Sequence, residues 1–298
     1  MSVPDASASR HRTGAEPPAA LAAVVETLEC PHCRDALDLD RGTVRCPRGH
    51  AFDVARQGYV NLLSGRVRAP PGDSPAMVEA RTAFLARGHH AALAARVVDA
   101  AAAAAGISER VVLDVGAGTG YFLAALLDGL PGRYGIALDV SKYALRRAAR
   151  AHERAAAVAA DAWQRLPLRD ATAGLALSVF APRNGEELRR VLHPSGALVV
   201  VTPTPAHLDE LVRSLSLLTV DPRKDARLAE QLEPHFALVD RATHEQRWTL
   251  THDDVAAAVA MGPSAWHLDH AQTRERIDQL PEPVAVTSSV TLSCYRPS

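Results

Sequence analysis

Aromatic side chains are scarce, at 4% of a 298-residue chain, so any core must be built mainly from Ala, Val and Leu. No stretch approaches the ~18 uncharged apolar residues of a membrane span. Met1 to Ala20 mixes Asp, Arg, His, Glu and Pro with no apolar stretch, unlike a secretory leader. Cysteine is sparse too: four in all, three of them between Cys30 and Cys46. That excludes a dispersed disulfide framework and reads as a reduced, cytoplasmic protein without a membrane partner. Neither sign of charge dominates, since 33 basic and 34 acidic residues give −1; a globally basic binder is excluded, a local basic surface is not. What is present, 47% hydrophobic and 22% charged residues, suffices for a sizeable core. The length predicts one large domain plus a smaller module.

Residues 1–27 read as a disordered tail, polar and aperiodic through its first twenty positions. Residues 28–66 form a short segment punctuated by Cys and Gly. Residues 67–106 open on the Pro-rich stretch Ala69 to Pro75 and continue as two helices, one from Ala76 and one from His90 into the alanine run ending at Gly106. From 107 to 298 strand and helix alternate: Val111–Val115, Tyr121–Leu130, Tyr134–Val140, Lys142–Ala151, Ala156–Ala160, Gly174–Phe180, Glu186–Leu192 and Ala197–Thr202. Such alternation predicts an α/β fold, a doubly wound parallel sheet. The tail differs, with strands at Phe236–Asp240, Arg247–Leu250 and Val284–Tyr295 around a helix at Asp253–Met261, which Thr251 and Asp254 start as a capping box. These last strands are expected to pair antiparallel at one sheet edge.

Cys30-Pro-His-Cys33 is followed, after twelve intervening residues, by Cys46-Pro-Arg-Gly-His50. Two tight turns, each offering two ligands, complete a tetrahedron of N and S donors with no open position, which describes one structural zinc ion. His32 competes with His50 for the fourth place. Seven Arg against four Asp from Cys30 to Arg68 suit either a small RNA-reading ribbon or a scaffold whose charges are merely solvated.

Asp114-Val-Gly116-Ala-Gly118-Thr-Gly120 lies between a predicted strand and helix. Glycines there let the backbone turn and approach a ligand. Asp114 stands next to where a dinucleotide's pyrophosphate would lie, so it repels phosphate and suits a cation. S-adenosylmethionine, with a sulfonium and an α-ammonium group, meets that requirement. Asp139 ends the next strand, where an acid accepts from ribose hydroxyls. Asp161 follows the third strand and could accept from the adenine amino group. Each acid alone also reads as a turn or cap residue.

The glycine loop, Asp139, Asp161 and the turn from Leu192 to Leu198 resemble class I, Rossmann-like, S-adenosylmethionine-dependent methyltransferases. The cluster of cysteines running into Phe52–Leu63, with Ala80–His89, Val179–Pro182 and Thr202–Leu208, resembles the bacterial 23S rRNA guanine-N1 methyltransferases, which carry a zinc ribbon. Val179–Asn184, Arg227–Leu232 and Met261–Ser264 are most similar to the tylosin-resistance branch. The resemblance implies methyl transfer to N1 of a guanine in a domain II hairpin of 23S rRNA at the peptide exit tunnel, with reduced macrolide binding. It implies zinc on Cys30, Cys33, Cys46 and His50, donor contacts at His90, Phe122, Leu123 and Leu211 beside the glycine loop, and a homodimer.

The acceptor is expected at Val179–Asn184, after the fourth strand. Phe180 stacks on guanine or packs in the core; Asn184 or a backbone carbonyl orients the base. Arg183 holds a phosphate or is an ordinary surface charge. The His89–His90 pair frames the donor pocket or a helix end. Arg66 and Arg68, then Arg146, Arg147 and Arg150, are candidate phosphate contacts. Two other readings compete: a methyltransferase for a small molecule such as a quinone or antibiotic precursor, and a non-catalytic zinc-dependent binding factor.

Overall fold

The computed structural model describes residues 18–65, 72–104, 111–219 and 224–298. In chain order the elements are α1 (Ala19–Val24), β1 (Asp38–Asp40), β2 (Thr43–Arg45), β3 (Ala51–Asp53), β4 (Tyr59–Asn61), α2 (Pro75–Ala86) and α3 (Ala91–Ala104). Then come β5 (Val111–Val115), α4 (Tyr121–Gly129), β6 (Tyr134–Asp139), α5 (Lys142–Ala148), β7 (Ala155–Ala159), β8 (Ala173–Val179), α6 (Gly185–Val191) and β9 (Leu192–Pro203). The chain ends with α7 (Asp209–Leu215), α8 (Lys224–Leu232), β10 (Phe236–Leu250), α9 (His252–Ala260), α10 (His270–Asp278) and β11 (Val284–Pro297).

An eight-stranded sheet runs β10-β11-β9-β8-β5-β6-β7-β4. From β9 to β4 every pairing is parallel, while β11 is antiparallel to β9 and β10 to β11, the edge expected from the sequence. Strands β5, β7 and β8 are buried along their whole length, as strands covered on both faces must be. Side chains alternate between two layers. Val111, Leu113 and Val115 join α1, α6 and α8 on one face, whereas Val112 joins α3, α4 and α5 on the other. The chain winds from β5 to β7 in one direction and returns to place β8 on the other side of β5. Their carboxyl ends therefore border the crevice where such sheets bind ligands.

One sequence expectation changes, and two gain a place in the fold. The tail does not extend to residue 27: Ala19–Val24 is helical, with Ala20, Leu21 and Val24 buried in the sheet's lower core. These three buried apolar residues in six outweigh the polar stretch before them; residues 1–17 lie outside those described. The cysteine segment also reaches the main sheet: β4 pairs in parallel with β7, Tyr59 opposite Ala157, as the sheet's last strand. The two helices expected after the Pro-rich stretch form and pack on the large domain: α3 on α4, and α2 on α9. Arg66 and Arg68 lie outside the described residues, as does Gly106. Among the described residues no helix is long and apolar enough to cross a membrane.

Candidate functional site

The two knuckles are built by their backbones. Arg34 N–H donates to the Cys30 carbonyl at 2.8 Å and Gly49 N–H to that of Cys46 at 3.0 Å, and Gly49 needs its φ of +87° to make that turn. Cys30 Sγ lies 3.5 Å and Cys46 Sγ 3.3 Å from His50 Nδ1, and Cys33 Sγ is 3.6 Å from Cys46 Sγ. A tetrahedral zinc with Zn–S of about 2.3 Å and Zn–N of about 2.0 Å has edges of roughly 3.5–3.8 Å, so the four donors fit the ion. They form the one such cluster among the described residues. His32 is not a ligand; its ring stacks on Phe52 with centroids 5.8 Å apart.

The ribbon is anchored one residue before its first ligand. Glu29, 5% exposed, accepts from Arg165 Nε at 2.7 Å and Nη2 at 3.3 Å, and its N–H donates to Pro167 O at 3.1 Å. The 163–168 loop leaving β7 is thus fixed to the metal knuckle.

A cavity of about 700 Å³ opens at the carboxyl ends of β5 and β8. Asp114, Gly116, Gly118, His90, Phe122 and Phe180 all line it. Glycine is required twice. Gly116 has φ +72° and a Cβ there would stand 2.5 Å from the Ala181 Cβ; Gly118 has φ +55°, and its N–H donates to Asp139 Oδ2 at 2.8 Å. Asp139 Oδ1 accepts from Ser141 N–H at 2.8 Å, so this acid sits behind the loop with its orientation fixed. Gly120, at φ +80°, opens α4 against Ala148 and Ala151.

Asp114 is 2% exposed, and burial followed by repulsion from Asp139 pushes its pKa up to about 8. A buried acid with no ion pair among the described residues suits a cationic ligand. His90 is pulled the other way: burial, then the neighbouring His207, His89 and Arg81, lower its pKa to about 3, so the ring is neutral. Its buried Nδ1 has no hydrogen-bond partner, an orphan that a ligand in the cavity could satisfy. These groups fit S-adenosylmethionine, whose sulfonium supplies an electrophilic methyl group.

Other expected residues stand apart from the cavity. Leu123 and Leu211 are buried in the cores behind its walls. Asp161 turns back to accept from Trp163 N–H at 3.0 Å. Asn184 caps α6, accepting from Glu187 N–H at 3.3 Å, and its Nδ2 reaches Trp163 O at 3.5 Å. Arg183 is buried and donates to Ala181 O at 2.7 Å, propping the loop after β8 rather than meeting a phosphate. His89 Nε2 lies 3.1 Å from Asp254 Oδ1, away from its neighbour His90's role. Of the basic helix face, Arg146 lies over the Tyr143 ring at 5.4 Å, while Arg147 and Arg150 are exposed.

Phe180 occupies the tip of the loop after β8. Its φ of +53° is a left-handed conformation that a bulky residue adopts at a cost. The ring is 38% exposed and stacks on His207 at 5.7 Å. Sequence reasoning missed His207, Thr119 and Arg81, which also line the cavity. Thr119 lay inside the glycine motif, and His207 follows a strand end, the one position that hinted at a site.

The family profile described as "RlmA, N-terminal" matches residues 28–66, and that of "Methyltransferase domain" matches residues 112–196. The chain is 50% identical over 275 residues to the 23S rRNA (guanine(748)-N(1))-methyltransferase of Streptomyces fradiae, covering 92% of this chain and 98% of that one. It is 53% identical over 288 residues to a provisionally named 23S rRNA (guanine-N(1)-)-methyltransferase of Micromonospora griseorubida, covering 91% and 97%. A Bacillus subtilis relative with the same provisional designation is 29% identical over 271 residues, covering 86% and 91%. With near-complete coverage at half identity, and a zinc ribbon joined to a methyl-donor cavity, the chain belongs to the 23S rRNA (guanine-N1)-methyltransferase family.

Proposed function

We propose that the protein methylates N1 of a guanine in a domain II hairpin of 23S rRNA at the peptide exit tunnel, and so lowers macrolide binding. The observation that carries this reading is the 50% identity, over 92% of the chain, to the Streptomyces fradiae enzyme designated for guanine 748. Asp114 and the Gly116–Gly118 turn hold the donor's amino-acid end, Asp139 its ribose, and His90 and Phe122 close the cavity beside it. Phe180 stacks on the acceptor base; its exposure and strained backbone at the cavity edge support that role. Asn184 fixes the loop that carries Phe180. The guanine must be unpaired or flipped, because N1 is hidden in a Watson–Crick pair. Its N1 proton leaves for water as the methyl group arrives, and the residues supply in-line positioning.

A homodimer belongs to the same reading. In support, β10 is a fifteen-residue edge strand that leaves Leu238 and Val239 48% and 62% exposed, a kind of edge that partners cover. Its test is the mass in solution. For the reaction, unmodified 23S rRNA and radiolabelled donor should give 1-methylguanosine at a single hairpin. Unlabelled RNA from protein that binds donor would overturn the proposal in favour of a small-molecule acceptor.

A further inference from the structure

Arg81, on α2, lines the donor cavity beside the glycine loop. Its Cδ and Nε come within 3.7 and 4.0 Å of where a Cβ on Gly118 would stand. Nε and Nη2 both donate to a single oxygen of Asp73, at 3.1 and 2.7 Å, and Nη2 also to Met261 O at 2.8 Å. Both side chains are about one quarter exposed, at 27% and 25%, and both line the donor cavity. Asp73 is itself pinned beside the donor's acids: Ser141 Oγ donates to its carbonyl at 2.7 Å, and Ser141 N–H is held by Asp139.

The charges of the donor must be matched one by one. S-adenosylmethionine carries a sulfonium, an ammonium and a single carboxylate. Asp114 and Asp139 suit the ammonium and the ribose hydroxyls, but a carboxylate entering this cavity meets Asp73 and Asp114 on its wall, with Asp139 behind the glycine loop. A cation has to answer it. The planar guanidinium is shaped for a carboxylate, and here it already grips one, supplied by the chain itself.

We propose that Arg81 anchors the α-carboxylate of the methyl donor, and that Asp73 stands in for that carboxylate until the donor displaces it. The inference rests on the donor reading of this cavity, not on the identity of the acceptor. Donor entry then exchanges one ion pair for another, and the segment at Asp73 is released from Arg81.

Calorimetry on the full chain tests this with two ligands. S-adenosylhomocysteine retains the amino-acid end, whereas 5′-methylthioadenosine lacks it. Arg81→Gln should weaken S-adenosylhomocysteine about tenfold or more, the scale of a charge-assisted hydrogen bond, and leave 5′-methylthioadenosine within about twofold. Arg81→Lys, which keeps the charge but loses the fork, should fall between. Asp73→Asn should tighten S-adenosylhomocysteine alone, and it decides the matter if Arg81→Gln fails to fold. Equal weakening of both ligands would make Arg81 a wall residue and overturn the inference, as would unchanged affinity for both. Wild-type protein that binds neither ligand would instead sink the donor reading itself.

Discussion

A Cβ on Gly116 would stand 2.5 Å from the Cβ of Ala181. Gly116 belongs to the donor loop and Ala181 to the loop that presents Phe180, so the two halves of the proposed reaction are in direct contact. Gly116→Ala suffers twice, from this clash and from a φ of +72°. The expected outcome is a loss of donor affinity by about 1–3 kcal/mol, read by calorimetry. Ala181→Gly added to it should recover the clash component only, because the backbone strain remains.

The Asp114 carboxyl, pushed up to about 8 by burial and Asp139, must be ionised to meet an ammonium group. Donor binding below that value therefore releases a proton, and affinity should climb from pH 6 to about 8 and then level off. Asp114→Asn should bind weakly with a flat profile. Stability of the unliganded protein runs the opposite way. The folded state holds this proton more tightly than the unfolded chain, so the Asp114 contribution falls as pH rises from about 4 to about 8. A donor affinity that ignores pH over this range would remove Asp114 from the ammonium site.

Phe180 pays a backbone cost for its position, so Phe180→Gly separates folding from catalysis. Glycine relieves the left-handed φ by roughly 1 kcal/mol, against which the ring contacts with His207 and His90 are lost. The thermal midpoint should move by a few degrees at most, and donor affinity should hold within about threefold. Methyl transfer to RNA should fall at least about fivefold, the lower end of base–aromatic stacking at about 1 kcal/mol. Equal activity would return Phe180 to a packing role.

The donor half was legible because its signals are local. The Val111–Val115 run with the glycines behind it needs no distant partner to be recognised, and the cysteine spacing likewise carries its own geometry. The misses are long-range or weakly patterned. β10 reads as two short strands because residues between them such as Arg241, His244, Glu245 and Gln246 are polar, but an edge strand open to solvent tolerates them. α10, His270–Asp278, buries only Ile277, so no apolar stripe marked it. Leu123 and Leu211 came by resemblance and lie one layer behind the cavity. His207 and Arg81 reach it from elements that the sequence alone cannot bring together.

The metal should matter for RNA and not for the donor. None of the residues lining the cavity comes from the ribbon, the first being Asp73. β4 is paired into the main sheet by β7 and carries no zinc ligand. Chelation, or Cys46→Ser, should therefore release one zinc per chain and unravel β1 to β3, whose short strands bury little. Donor affinity should stay within about threefold, while methylation of 23S rRNA is lost. Glu29→Gln is the sharper probe, since it leaves the four ligands intact and removes the charge that Arg165 holds. If the ribbon acts by being fixed to the 163–168 loop, this variant should keep its zinc and its donor affinity yet raise KM for RNA several-fold. Unchanged RNA kinetics with zinc retained would mean that the Glu29–Arg165 pair only fastens the ribbon and does not set its bearing on the substrate.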